Sequence, residues 1–309
     1  MKLKKSTLFY YSLAEMPINI ALFPILVFIP KFYTGEMGVP LALAANIILA
    51  VRIFDVFTDP VVGYINDRTN TKWGRRRPWI AIATPLLMVS IYMLFIPPEG
   101  AGALHLFLWM FLLSIGTTML IIPYYAWGAE LSPDYNERSR ITGWRSISGV
   151  VGSLSAQLIP TIALVFFGLG GSTNVLYIVG IASVIIMPIC VFLTVLKVPE
   201  SKDYVQSNIS PIKCFKSMLE NSPFKRLIMA FMFGGIAFSI TIPLYLFFIT
   251  YVLKAEEMAI FMLTFFYLTN IIAVPFWVWL SKQIGKHKAY ICSFAMIAFA
   301  HPFYLLLGE

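Results

Sequence analysis

Charge is the scarcest property of this 309-residue sequence. Asp, Glu, Lys and Arg make up only 12% of it, against roughly a quarter in a typical soluble domain, so a soluble globule is excluded. His105, His287 and His301 lie in separate segments, and Cys190, Cys214 and Cys292 are scattered. Neither set has the spacing of a metal site, and the cysteines form no disulfide framework. No serine has a paired base, and no Gly-rich phosphate loop appears, which removes nucleophilic hydrolysis and ATP-driven transport. No enzyme activity and no cofactor are expected.

What remains is apolar. The chain is 59% hydrophobic with a mean hydropathy of +0.80. Uninterrupted apolar runs of about 20 residues, the length that crosses ~30 Å of hydrocarbon as a helix, recur near 7–33, 39–65, 79–97, 103–129, 144–167, 174–196, 226–252, 257–280 and 289–307. The expectation is an all-α, multi-pass membrane protein with nine transmembrane helices. The leader MKLKKS resembles the start of a signal peptide, but the apolar run behind it is too long for one and lacks an A-x-A cleavage site. It is expected to stay as the first span.

The formal charge of +8 raises the question of nucleic acid, and its distribution answers it. Basic residues cluster in alternate connections: Lys2, Lys4 and Lys5, then Arg68, Lys72 and Arg75 to Arg77, then Arg138, Arg140 and Arg145, then Lys197 to Arg226, then Lys282, Lys286 and Lys288. The intervening FYTGEMG, IPPEGAG, FGLGGST and LKAEE carry almost none. By the positive-inside rule this puts the N-terminus in the cytoplasm and, after nine spans, the C-terminus outside. The excess is a topology signal, and nucleic acid is not an expected partner.

The one long polar interruption, SKDYVQSNISPIKCFKSMLENSP, sets the expected domain boundaries. Residues 1–197 form a six-helix bundle, 198–223 a cytoplasmic loop, and 224–309 the first three helices of a second bundle. Within the loop, Ile212, Phe215 and Leu219 share a helical face after a Ser210-Pro211 start signal, giving a short basic helix on the inner leaflet or, alternatively, a partly ordered linker. DRTNTKWGRRRPWI after span two is echoed by SKQIGKHKAYI after span eight, aligning Gly74 with Gly285. Two six-helix halves related by a parallel repeat would produce this offset. On that scheme the chain lacks about three helices at its C-terminal end.

Three charges interrupt span two. Asp55 and Asp59 are four apart and share one helical face, with Arg52 one turn along the same stripe. An ionised side chain near mid-bilayer costs at least ~2.5–3.5 kcal/mol, so the stripe is expected to face the protein interior or a wet cavity. Neighbouring carboxylates repel, which leaves one protonated or a cation between them. The alternative is a salt bridge that only pins the helix. Further on, Asp67 and the Arg75, Arg76, Arg77 run have Glu130, Asp134 and Glu137 as candidate partners for a cytoplasmic gate. Glu15, in a span also carrying Pro17, Pro24 and Pro30, points to an interrupted helix. Its carboxyl would bind solute, carry a proton or pair with an arginine.

The run R-x-x-D-x-x-x-D-P-x-x-G over 52–63, followed by D-R-T-x-x-x-W-G-R-R-R-P-W over 67–79, resembles the glycoside–pentoside–hexuronide:cation symporter family of the major facilitator superfamily, which includes melibiose carriers. The resemblance implies twelve helices in two bundles, alternating access, and uptake of a sugar-like solute driven by Na⁺, Li⁺ or H⁺. By position, Asp55 and Asp59 match the family's cation-binding carboxylates, Thr58 stands where a member has Asn, and Thr118 matches a hydroxyl ligand. Arg145 matches a basic residue of the sugar site. Asn19, Ile18 and Ile121 stand where the melibiose carrier has Asp, Lys and Asp, which argues against melibiose itself. Tyr124, Tyr125 and Trp127 offer aromatic surface for a sugar face.

The expectation is therefore a monomeric secondary transporter in the cell membrane, a bacterial inner membrane, with a small-molecule solute and a monovalent cation as partners besides lipid. Cation ligands are Asp55, Thr58, Asp59 and Thr118; solute contacts are Glu15, Asn19, Tyr125, Trp127 and Arg145. Hydroxyls beside two acids favour Na⁺ held by Asp55 and Asp59, while Arg52 would compete with the metal and a proton needs only one carboxyl. Two other readings stand: a carrier of a lipid-like amphiphile on the same fold, and a non-transporting membrane assembly or sensor protein.

Overall fold

A computed structural model describes residues 2–168, 172–200, 211–247, 252–254, 259–300 and 302–303. Among these residues the regular structure is helical, the sole β-type pairing being an isolated bridge between Thr71 and Gly74. Among the described residues seven helices are long and apolar enough to cross a membrane. The chain forms two compact units, Met1–Tyr204 with Tyr267–Val278, and Val205–Phe266 with Trp279–Glu309.

In the first unit the expected span 7–33 is three helices: α1 (Lys5–Ser12), α2 (Glu15–Val27) and α3 (Ile29–Gly35). Pro17 has no N–H to bond the Leu13 carbonyl, which instead takes the Met16 N–H at 3.3 Å in a tighter turn. That break puts Glu15 in the first turn of α2. α4 (Leu41–Arg68), α5 (Arg77–Phe95), α6 (Ala103–Glu130) and α8 (Ser172–Lys197) lie within a few residues of expectation.

α7 (Tyr135–Phe167) departs from it by starting well before residue 144. The segment YNERSRIT, read from sequence as loop, is helical because Asp134 caps it, accepting the Asn136 and Glu137 N–H groups at 2.8 Å. Glu137 and Arg140, three apart, then pair along the first turns at 2.8 Å.

α5 packs chiefly on α6 and α8, α2 on α7 and α8, and α4 on α6. Their shared core is aliphatic with buried aromatics, among them Tyr11, Phe32, Tyr33, Phe95, Tyr124 and Trp127. Buried hydroxyls find carbonyls, as lipid-facing bundles require: Tyr33 donates to the Leu94 carbonyl at 3.2 Å and Thr194 to that of Tyr10 at 2.7 Å. Tyr11 and Tyr124 each donate to the other's backbone carbonyl, at 3.0 and 2.8 Å, with their rings stacked at 4.7 Å.

The second unit holds α9 (Pro211–Glu220), α10 (Ser222–Phe247) and α12 (Lys286–Ala300), while α11 (Ala259–Ile284) contributes to both units. α9 follows the expected short helix; Ile212 and Phe215 of its proposed apolar face have side chains outside those described, as do residues 201–210 altogether. Gly234 lets α10 approach α12, since a Cβ there would lie 3.1 Å from the Phe294 ring. Gly74 (φ 118°) and Gly285 (φ 89°) both take left-handed backbone just before a helix, so the sequence echo between them is also a conformational one.

Candidate functional site

The α4–α6 seam carries the paired acids. Asp55 and Asp59 stand one turn apart on α4, and Ser114 and Thr118 one turn apart on α6, so two rungs cross the seam in register. Ser114 Oγ donates to Asp55 Oδ1, and Thr118 Oγ1 donates to Asp59 Oδ1 at 2.8 Å. The Phe54 and Phe111 rings, 4.6 Å apart, pack beside the first rung. Arg52 Nη1 reaches Asp55 Oδ2 at 3.3 Å, with the Arg52 side chain 56% exposed and that of Asp55 17% exposed. Thr58 donates back to the Phe54 and Asp55 carbonyls at 3.3 and 3.4 Å, which leaves its oxygen lone pairs open.

The acids, Ser114 and Thr118 border a cleft of about 280 Å³ that α2 closes with Leu22 and Ile25. The rest of its lining is largely aliphatic, with Val51, Met110, Leu113 and Ile121. A donating hydroxyl keeps its lone pairs, so each rung offers carboxylate and hydroxyl oxygen together. Two carboxylates and one guanidinium leave a formal charge of −1. Among the described residues no three His, Cys, Asp or Glu converge, and oxygen ligands of this kind suit a hard cation.

A second cluster joins α2, α6 and α7. Glu15 Oε2 lies 3.9 Å from Arg145 Nε, Tyr125 donates to Glu15 Oε1 at 3.1 Å, and the Arg145 guanidinium sits 3.8 Å above the Tyr125 ring. Asn19 Nδ2 donates to the Glu15 carbonyl at 2.9 Å. Small residues make the approach possible: a Cβ at Gly152 would collide with the Met16 carbonyl, and one at Gly149 would lie 3.3 Å from Glu15 Cγ.

The basic run before α5 forms a third cluster. Arg75 and Arg76 both pair with Glu130, the latter at 2.7 Å. Arg76 also reaches Asp67 at 2.8 Å and bonds Asn66. Burial works against the Arg76 charge, but its bonds to Glu130 and Asp67 outweigh that and raise its pKa. Glu200, just past α8, accepts the Arg75 and Arg76 backbone N–H groups at 2.6 and 2.7 Å and lies 3.8 Å from Arg77. Its carboxylate fills the space where a Cβ of Gly74 would go.

Set against expectation, Asp55, Asp59 and Thr118 come together, as do Glu15, Asn19, Tyr125 and Arg145. Asp67, Arg75, Arg76, Arg77 and Glu130 form one network within a single unit. Three residues fall elsewhere. Thr58 donates to backbone carbonyls of its own helix and does not line the cleft. Trp127 is fully buried, donates to the Pro199 carbonyl at 3.0 Å and has Arg77 over its ring, which places it with the third cluster instead of beside Arg145. Glu137 accepts from Arg140 and from the Leu3 N–H. Sequence reasoning missed Ser114 and Glu200. Ser114 is four residues before Thr118, a repeat of the Asp55–Asp59 spacing that was open to notice.

A profile of the family described as MFS/sugar transport protein matches residues 10–308. The isoprimeverose transporter of Lactiplantibacillus pentosus is 28% identical, over 91% of this chain and 60% of its own length. Sodium-dependent lysophosphatidylcholine symporter 1 of Mus musculus is 26% identical, over 91% of this chain and 59% of its own length. A glucuronide carrier protein homolog of Escherichia coli K12 is 29% identical, over 46% of this chain and 32% of its own length. The chain thus spans less than two thirds of each of these relatives, whose names refer to isoprimeverose, lysophosphatidylcholine and a glucuronide.

Proposed function

The chain belongs to the MFS/sugar transport protein family, a family of transporters and not enzymes, and from that premise we propose that it serves cation-coupled symport of a sugar or sugar-like solute by alternating access. The observation that carries this reading is the pair of rungs across the α4–α6 seam. A helix pin needs one acid and one partner; two carboxylates matched by two hydroxyls beside a cleft supply converging oxygens for an ion. Asp55, Asp59, Ser114 and Thr118 are the proposed ligands, and Na⁺ is the proposed ion. Glu15, Asn19, Tyr125 and Arg145 are the proposed solute contacts.

Asp67, Arg75, Arg76, Glu130 and Glu200 form the proposed cytoplasmic latch, which holds the α4–α5 connection to the ends of α6 and α8. The N-terminus is proposed to be cytoplasmic, the chain monomeric and the location the cell membrane, with residues 1–197 as one bundle, 198–223 as the connecting loop and 224–309 as the opening helices of a second bundle.

A lipid-like amphiphile is the second reading, favoured by the largely aliphatic lining of the cleft. A non-transporting assembly or sensor role has the paired acids against it. Uptake by protein-containing vesicles of a panel of neutral sugars, sugar acids and lysophospholipids, with and without a Na⁺ gradient, tests the proposal. A sugar accumulated only with Na⁺ supports it, accumulation of lysophospholipid alone moves the assignment to the second reading, and transport of nothing overturns both.

A further inference from the structure

The Glu15–Arg145 pair is loose, and the hydrogen bonds it leaves unmade describe what it takes. At 3.9 Å the Arg145 Nε to Glu15 Oε2 contact is an ion pair without a hydrogen bond. Glu15 Oε1 is occupied by the Tyr125 hydroxyl, whereas Oε2 is buried and has no hydrogen-bond partner. A buried carboxylate oxygen left this way keeps its desolvation cost uncompensated. The cluster therefore holds a donor, the guanidinium, directly beside an acceptor that lacks a donor.

Resting on the sugar-transport reading above, we infer that Glu15 makes this subsite select a neutral, hydroxyl-bearing solute and reject the corresponding sugar acid. A hydroxyl accepts from Arg145 and donates to Glu15 Oε2 at once, because it carries one proton and two lone pairs. A carboxylate only accepts, so it satisfies the arginine, leaves Oε2 unpartnered and sets a second negative charge beside Glu15. Glu15 has already spent the charge of Arg145, which would otherwise attract an acid in a bidentate pair. The flanking groups keep this balance: Tyr11, Asn19 and Tyr125 are uncharged, and the Tyr125 ring lies against the Arg145 guanidinium and holds it beside Glu15.

The test is a ratio within each variant, which does not depend on how much protein reaches the membrane. Na⁺-driven uptake is measured for neutral mono- and disaccharides, isoprimeverose included, and for the matched uronic acids. Wild-type protein is expected to prefer the neutral member by at least about tenfold, the scale of one like-charge contact in a partly screened site. Glu15→Gln should reduce that preference about tenfold or reverse it, while Arg145→Ala should lose both solutes. A wild-type preference for the uronic acid, or a ratio unchanged in Glu15→Gln, overturns the inference with the sugar-transport reading intact. Failure of every sugar and every uronic acid overturns that reading and the inference with it.

Discussion

Thr118 on α6 donates to Asp59 on α4 at 2.8 Å, and one turn away Ser114 does the same for Asp55. The equal spacing on both helices fixes their register and sets four oxygen-bearing side chains along one line. Removing one hydroxyl should weaken a cation held there without unseating the helix, since each helix keeps its other rung. Ser114→Ala and Thr118→Ala are each expected to raise the Na⁺ concentration for half-maximal uptake about tenfold, the effect of losing one hydrogen bond or ligand to a charged group. Unchanged Na⁺ dependence in both would remove the hydroxyls from the site.

Gly74 has two reasons to be glycine: a left-handed φ of 118° and the Glu200 carboxylate where its Cβ would stand. Gly285 has the φ alone, with His287 no nearer than 3.5 Å. Gly74→Ala should therefore lower the thermal unfolding midpoint in detergent more than Gly285→Ala, whose cost is backbone strain on the order of 1–3 kcal/mol. Equal midpoints would show that Glu200 moves aside freely.

Arg76 is only 4% exposed and leans on Glu130 and Asp67. Glu130→Gln should destabilise the protein by roughly 3 kcal/mol, because it leaves a buried charge short of its counter-charge. Glu130→Met combined with Arg76→Met should cost clearly less than the sum of the single changes. Additive losses in thermal unfolding would mean that the two side chains are not coupled.

What the sequence disclosed, and what it hid, follows from distance along the chain. Asp55 and Asp59 stood out because charge inside an apolar run is conspicuous, and their i, i+4 spacing already set them on one face. Ser114 did not, since a serine in a span is unremarkable until α6 is known to lie against α4. Glu200 was invisible for the same reason: its backbone partners at Arg75 and Arg76 are more than a hundred residues away. Trp127 was avoidable, as two positions on a helix turn by about 200° and Tyr125 and Trp127 cannot face one solute together. The start of α7 was misread because YNERSR is polar, although Asp134 is a good N-cap and Glu137 and Arg140 are correctly spaced to extend a helix past its apolar part.

The Tyr11–Tyr124 pair, with reciprocal bonds at 3.0 and 2.8 Å, should show coupled energetics. Tyr11→Phe and Tyr124→Phe are each expected to cost about 1 kcal/mol. The double variant should cost less than their sum, because each ring also positions the other's carbonyl. Strict additivity in a thermal unfolding series would make them independent contacts.

We propose that a cation bound between Asp55 and Asp59 drives uptake, and vesicles carrying the protein report this coupling. With internal and external pH equal and the proton gradient collapsed by a protonophore, an inward Na⁺ gradient should still drive accumulation of a transported sugar. Asp55→Asn and Asp59→Asn, inserted normally, should each abolish that accumulation. Accumulation that follows the proton gradient and ignores Na⁺, or that survives in both variants, would contradict the account.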